Sequence, residues 1–127
     1  MAPLVVGVGG ALGAIARFYG TEWVRHVAGD AFPWGTFVVN VVGSFALGLG
    51  LVLLPSLAPS PQARQFIVIG VLGSFTTFST FSYEAVALAR SGEAWRAVGY
   101  AAGSVALGVT AVLIGVALAS TIVQSRG

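Results

Sequence analysis

Charged residues divide the chain into long neutral runs, Met1 to Ala16, Ala31 to Ala63, Gln65 to Tyr83 and Ala97 to Ser125, and each has room for one membrane span. In hydrocarbon a helix must satisfy every backbone amide within itself, which takes about 20 mostly apolar residues. The pattern therefore predicts helices over Leu4 to Trp23, Trp34 to Leu54, Gln65 to Ala89 and Trp95 to Val123. Proline and glycine mark the joints: Pro33 precedes the second helix, Pro55, Pro59 and Pro61 break the chain before the third, and Ser91-Gly92 separates the third from the fourth. Short second and third connections make neighbouring helices antiparallel.

Composition agrees with this solvent. The 127 residues are 57% hydrophobic and only 8% charged, with a mean hydropathy of +0.94, whereas a soluble domain keeps roughly a quarter of its residues charged. The absence of cysteine excludes a disulfide framework, a thiolate zinc site, an iron–sulfur centre and thiol chemistry. His26 stands alone as a metal ligand. All six basic residues are arginines, too few and too scattered for a nucleic-acid surface. Ala14-Ile15-Ala16 imitates a signal-peptide cleavage site, but no basic region precedes the apolar stretch. Gly7, Gly9 and Gly13 imitate a dinucleotide fingerprint at a spacing one residue too long and without a strand before it, so they are read as helix-packing glycines.

Loop arginines set membrane orientation, and here they nearly balance. The side with both termini and the second loop carries Arg64 and Arg126, and the other carries Arg25, Arg90 and Arg96. The chain is expected to insert both ways and to pair with an inverted copy of itself. Association is suggested independently, since four helices side by side leave no room for a polar path between them, and a second subunit would supply walls. Small residues four apart, at Gly9 and Gly13, Ser44 and Gly48, Gly99 and Gly103, Ser104 and Gly108, and Gly115 and Ala119, allow close helix approach within or between subunits.

Polar groups are costly in hydrocarbon and mark the places where function is sought. Thr36, Asn40 and Ser44 share one face of the second helix, and Asn40 offers two donors and an acceptor among valine, phenylalanine and glycine. Tyr100, Ser104 and Gly108 repeat the spacing on the fourth helix. On the third, Gly70, Gly73 and the run Ser74-Phe75-Thr76-Thr77-Phe78-Ser79-Thr80-Phe81 predict a mid-span break. Irregular backbone at that depth is tolerated only when buried or lining a cavity, where freed carbonyls hold cations and a half-helix N-terminus favours anions. Phe78 and Phe81 share a face, and a ring edge attracts an anion without a formal charge. Glu84, four residues after Thr80, sits at a mouth or snorkels to the interface, as does Arg17 late in the first helix.

These segments resemble the Fluc (CrcB) fluoride channels of microorganisms. The likeness runs through GAIARFYG at Gly13 to Gly20, PWGTFVVNVVGSFALG at Pro33 to Gly48 and GSFTTFSTF at Gly73 to Phe81, the last a highly specific motif. The resemblance implies an all-α membrane protein with four transmembrane helices, the third broken at mid-span, assembled as an antiparallel dual-topology homodimer with two pores in a bacterial inner membrane. It implies passive fluoride export with no reaction catalysed, the partners being fluoride, lipid and a second copy of the chain. By the same resemblance Phe78 and Phe81 are the pore phenylalanines and Asn40 the pore asparagine, with Tyr100 and Ser104 lining the same path. Ser79, Thr80 and Glu84 match a hydroxyl track and acidic residue toward the pore exit. Gly73 and Thr76 match a break whose carbonyls, from both subunits, hold a structural sodium ion on the dimer axis. Arg17 matches a family arginine to which the sequence assigns no role.

Two positions depart from the family pattern. The family often has a second glycine where this chain has Ser74, which bears on the carbonyls of the break and hence on sodium. It also often has a hydroxyl one turn beyond Ser104, where this chain has Gly108. Two other readings compete. A small multidrug-type exporter would need a membrane-embedded carboxylate on the first helix, which here carries Arg17 and, near its end, Glu22. A non-transporting membrane subunit would use the polar stripes only to bind partner helices.

Overall fold

The computed structural model describes residues 2–57 and 60–126, which form helices and short connections. α1 spans Ala2–Ala28 and α2 spans Trp34–Leu57. The third membrane-crossing segment, Pro61–Arg90, is made of α3 (61–75) and α4 (Phe78–Arg90) around a two-residue break. α5 spans Ala94–Arg126. Four segments are thus long and apolar enough to cross a membrane.

Each helix starts or stops for a local reason. α1 runs past the predicted end at Trp23, with Glu22 and Arg25, three apart, paired along its surface, and the chain turns only at Gly29, whose φ of +87° suits glycine. α3 begins at Pro61 rather than Gln65, with the Ser60 hydroxyl accepting from the Ala63 amide at 3.0 Å and proline at the first helical position. Gly92, with φ +88°, makes the turn between α4 and α5. Near the end of α5 Thr121 and Ser125 donate back to the Ala117 and Ile122 carbonyls, so polar side chains do not stop the helix. Pro55, expected to break the chain, instead lies within α2. So close to the helix end, its missing N–H costs a single ladder bond in the last turns. Pro59 lies outside the described residues.

Glycine sets the packing. α1 lies against α3, and a Cβ added at Gly9 would stand 2.5 Å from the Phe66 carbonyl oxygen, while one at Gly13 would overlap that of Val71. α2 lies against α5 in the same way, with a Cβ at Gly115 placed 2.9 Å from the Leu49 nitrogen and one at Gly48 overlapping the Val112 carbonyl. The Gly9–Gly13 and Gly115–Ala119 pairs therefore join helices within one subunit. At Gly99 and Gly103 an added Cβ would meet nothing within 4 Å, so that pair faces away from the subunit's own helices. Large apolar residues such as Leu12, Phe18 and Leu113 point outward, as they would toward lipid. Because α1 and α3 touch at backbone distance, Gly13→Ala is expected to destabilise the fold by about 1–3 kcal/mol through overpacking. Thermal unfolding in detergent checks this, and an unchanged midpoint would contradict the contact.

Within α3 the chain does something the apolar pattern does not indicate. Gln65–Leu72 is wound as a π-helix, and the Gly73 amide donates to the Val68 carbonyl five residues back. Wide turns of this kind are rare and occur frequently at functional sites. Here one α-helical turn, Gly73–Phe75, separates the wide turns from the break.

Candidate functional site

The break is two extended residues, Thr76 (φ −82°, ψ 156°) and Thr77 (φ −148°, ψ 117°). β-branched side chains favour this conformation. An extended backbone in hydrocarbon needs partners for its amide and carbonyl, and Asn40 of α2 provides both. The Thr77 amide donates to Asn40 Oδ1 at 2.7 Å, and Asn40 Nδ2 donates to the Thr77 carbonyl at 3.0 Å. Since the Thr77 N–H can only donate, this pairing fixes which way the side-chain amide faces. Gly43, one turn further along α2, makes room for the break, since a Cβ there would stand 3.1 Å from Phe75 Cδ2 and overlap the Thr76 methyl.

Thr77 also starts α4. Its hydroxyl accepts from the Thr80 amide at 3.2 Å, an N-cap, and donates to Thr80 Oγ1 at 3.1 Å, with Ser79 Oγ 3.5 Å away. Capping and Asn40 together draw amides away from the helical ladder. The Thr77 amide, which would close onto Gly73, faces Asn40, and the Thr80 amide, which would close onto Thr76, faces Thr77 Oγ1. Neutral carbonyl oxygens released in this way are the donor set that suits a hard monovalent cation, so Gly73 and Thr76 fit the expected sodium. The Ser74 hydroxyl is turned toward α1, where a Cβ on Gly10 would stand 3.1 Å from it.

Beside the break lies a groove of about 360 Å³, lined among others by Asn40, Ser44, Phe78, Phe81, Ser104 and Gly108. This is a cleft open on the outside of the subunit, not a path enclosed between its four helices. Gly108 and the missing turn of the third segment make the space. The Phe78 and Phe81 ring centroids are 5.7 Å apart, and Phe78 is 79% exposed, so the groove opens to the outside of the subunit there. Ser104 Oγ is buried without a hydrogen-bond partner among the described residues. No charged side chain among the described residues lines the groove, and the N-terminal end of α4 brings partial positive charge to it.

Tyr100 stands behind this groove rather than in its lining. It is 1% exposed, its ring centroid lies 5.1 Å from that of Phe81, and its hydroxyl donates to Glu84 Oε1 at 3.0 Å. Glu84 and Thr36 line a second cavity of about 320 Å³, whose rim carries Arg25, Asp30 and Glu93. Phe81 and Tyr100 thus stand between the two cavities. Ser79 and Thr80 lie on the exposed first turn of α4 and line neither. Arg17 is partly exposed on α1.

The structure therefore brings Asn40, Gly73, Thr76, Phe78, Phe81 and Ser104 to one groove and links Tyr100 with Glu84 next to it. Sequence reasoning gives Thr77 no role of its own, although it is the residue that Asn40 holds and that caps α4. The signal is present in a threonine three residues before Thr80, at the start of a helical run.

The model of the family described as CrcB-like protein, Camphor Resistance (CrcB), matches residues 4–116. The chain is similar to a protein of Rhizobium meliloti (strain 1021) named fluoride-specific ion channel FluC, 46% identical over 116 residues, which cover 91% of this chain and 93% of that one. A protein of the same name from Thermus thermophilus is 46% identical over 120 residues, covering 94% of each chain. Another, from Hahella chejuensis (strain KCTC 2396), is 46% identical over 114 residues, covering 89% of this chain and 90% of that one.

Proposed function

This chain belongs to the CrcB-like family, and from that premise we propose that it is a fluoride-selective channel that lets the ion leave the cytoplasm passively along the groove at the break. The observation that carries the reading is the groove's chemistry: an uncharged wall of two phenylalanines, an amide and the unpaired Ser104 hydroxyl. Fluoride is small and strongly hydrated, so a pore must replace its water with donors, and a basic residue would trap it. Ring edges of Phe78 and Phe81, the remaining Nδ2 hydrogen of Asn40 and the Ser104 hydroxyl do this without a full charge. Tyr100 contributes its ring to the wall at Phe81 and its hydroxyl to Glu84. Glu84 continues the path beyond the phenylalanines into the second cavity, while Ser79 and Thr80, exposed on the first turn of α4, would border it only with a second copy in place. The chain carries out no catalysis.

The working unit in this reading is an antiparallel, dual-topology homodimer with two pores between the copies. Three features support it: near-balanced loop arginines, the open face at Gly99 and Gly103, and a groove left open beside the exposed Phe78. The Gly73 and Thr76 carbonyls would hold a structural sodium ion on the dimer axis, where its charge would offset the carbonyl dipoles freed by the break. Single cysteines placed in the second and third loops are expected to react with an impermeant thiol reagent from both sides of the membrane. Labelling from one side alone would contradict dual topology.

Expression of the chain in a fluoride-hypersensitive bacterium tests the function in cells. Growth is expected to be restored at fluoride concentrations that arrest the parent strain. Continued arrest with the protein present in the membrane would count against fluoride export.

A further inference from the structure

Of the groove's hydroxyls, those of Thr76 and Thr77 are bonded within the third segment, Ser104 is part of the proposed pathway, and Ser44 is neither bonded among the described residues nor assigned. Ser44 lies one turn beyond Asn40 on the same face of α2 and lines the groove with Ser104 and Gly108. A helical serine or threonine commonly returns its hydroxyl to a carbonyl in the preceding turn. Ser82, Thr110 and Thr121 do so, onto Phe78, Ala106 and Ala117. Ser44 has no such bond among the described residues, and neither does the buried Ser104 hydroxyl opposite it on α5. Gly108 is one turn beyond Ser104, and a Cβ there would stand 3.7 Å from Ser44 Oγ. Glycine at 108 therefore leaves the Ser44 hydroxyl uncovered.

We propose that Ser44 is a specificity-determining donor of the groove, completing with Ser104 a coordination point for a small, strongly hydrated anion one helical turn past Asn40. The inference rests on the channel reading above. Each hydroxyl has a proton not committed to the protein, so a compact anion that has shed its water can accept from both walls. A larger, weakly accepting anion such as chloride gains little from the same pair. Gly108 is the opening that lets the anion reach the α2 hydroxyl, and so the polar lining passes here from α5 to α2.

Fluoride efflux from liposomes, recorded with an electrode for the full chain and its variants, tests the assignment. Ser44→Ala is expected to slow fluoride efflux about tenfold, the equivalent of about 1.4 kcal/mol in barrier height. The double variant Ser44→Ala, Gly108→Ser, which returns a hydroxyl from the opposite wall, is expected to regain most of the rate. Ser44→Ala at the parent rate would overturn the inference while leaving the channel reading intact. A slow Ser44→Ala with no recovery in the double variant would also overturn it, since the loss would then come from packing rather than from the hydroxyl. Absence of efflux from the parent protein would overturn the channel reading and this inference with it.

Discussion

Phe78→Ile and Phe81→Ile are each expected to abolish fluoride efflux, by at least about a hundredfold, or about 2.7 kcal/mol of barrier, while the protein remains folded. Isoleucine preserves an apolar side chain of useful size and removes the ring, so what is lost is the positive ring edge that would face the ion in the proposed pore. The two positions separate conduction from folding. Phe78 is 79% exposed in the subunit, so its replacement removes little packing. Phe81 lies 5.1 Å from the Tyr100 ring, and its replacement gives up an aromatic contact worth about 0.5–1.5 kcal/mol. Efflux should therefore fall in both variants, with the larger drop in unfolding midpoint for Phe81→Ile, since both give up the Phe78–Phe81 pair at 5.7 Å and only Phe81→Ile also gives up the contact with Tyr100. Undiminished efflux from either variant would refute its place in the pore wall.

Asn40→Leu is expected to lower both flux and stability. The substitution leaves the Thr77 amide and carbonyl, now bonded at 2.7 and 3.0 Å, without partners in a part-buried site away from water. Each unpaired group costs about 1–3 kcal/mol. The break would then relax toward a continuous helix, which would also move the Thr77 cap and the first turn of α4 that presents Phe78. Thermal unfolding and efflux measured on the same preparation check this. A normal midpoint with lost efflux would restrict Asn40 to contact with the ion, and an unchanged value of both would contradict the clamp altogether.

The membrane class, the number of spans and the helix order are legible because hydrocarbon imposes one dominant rule, backbone satisfaction within apolar runs. The break is legible too, because glycine and β-branched hydroxyl residues at mid-span contradict an unbroken helix. Its place within the run is not. It falls at Thr76–Thr77 because a side chain 37 positions away, Asn40, supplies the missing backbone partners, and such pairing leaves no trace in local pattern. The same long-range dependence hides the role of Thr77. The π-helical winding of Gln65–Leu72 differs from an α-helix by one residue of hydrogen-bond register, which the run QFIVIGVL, apolar after its first residue, does not encode. Pro55 misleads because proline's effect depends on where in a helix it falls. Tyr100 and Glu84 each stand out as polar residues in apolar spans, but their mutual bond at 3.0 Å requires knowing that α4 and α5 meet. The resemblance of the motif at Gly73 to Phe81 is what carries named roles to individual residues, which the physical pattern alone marks only as polar or aromatic.

Fluoride and chloride efflux from the same liposomes, with valinomycin to set the potential, tests the central claim most directly. Rapid fluoride efflux that depends on valinomycin, with chloride retained, is expected from the parent protein. Valinomycin-independent fluoride efflux would contradict a passive electrogenic channel in favour of an electroneutral coupled pathway, and retention of both ions by folded protein would contradict a fluoride pathway altogether.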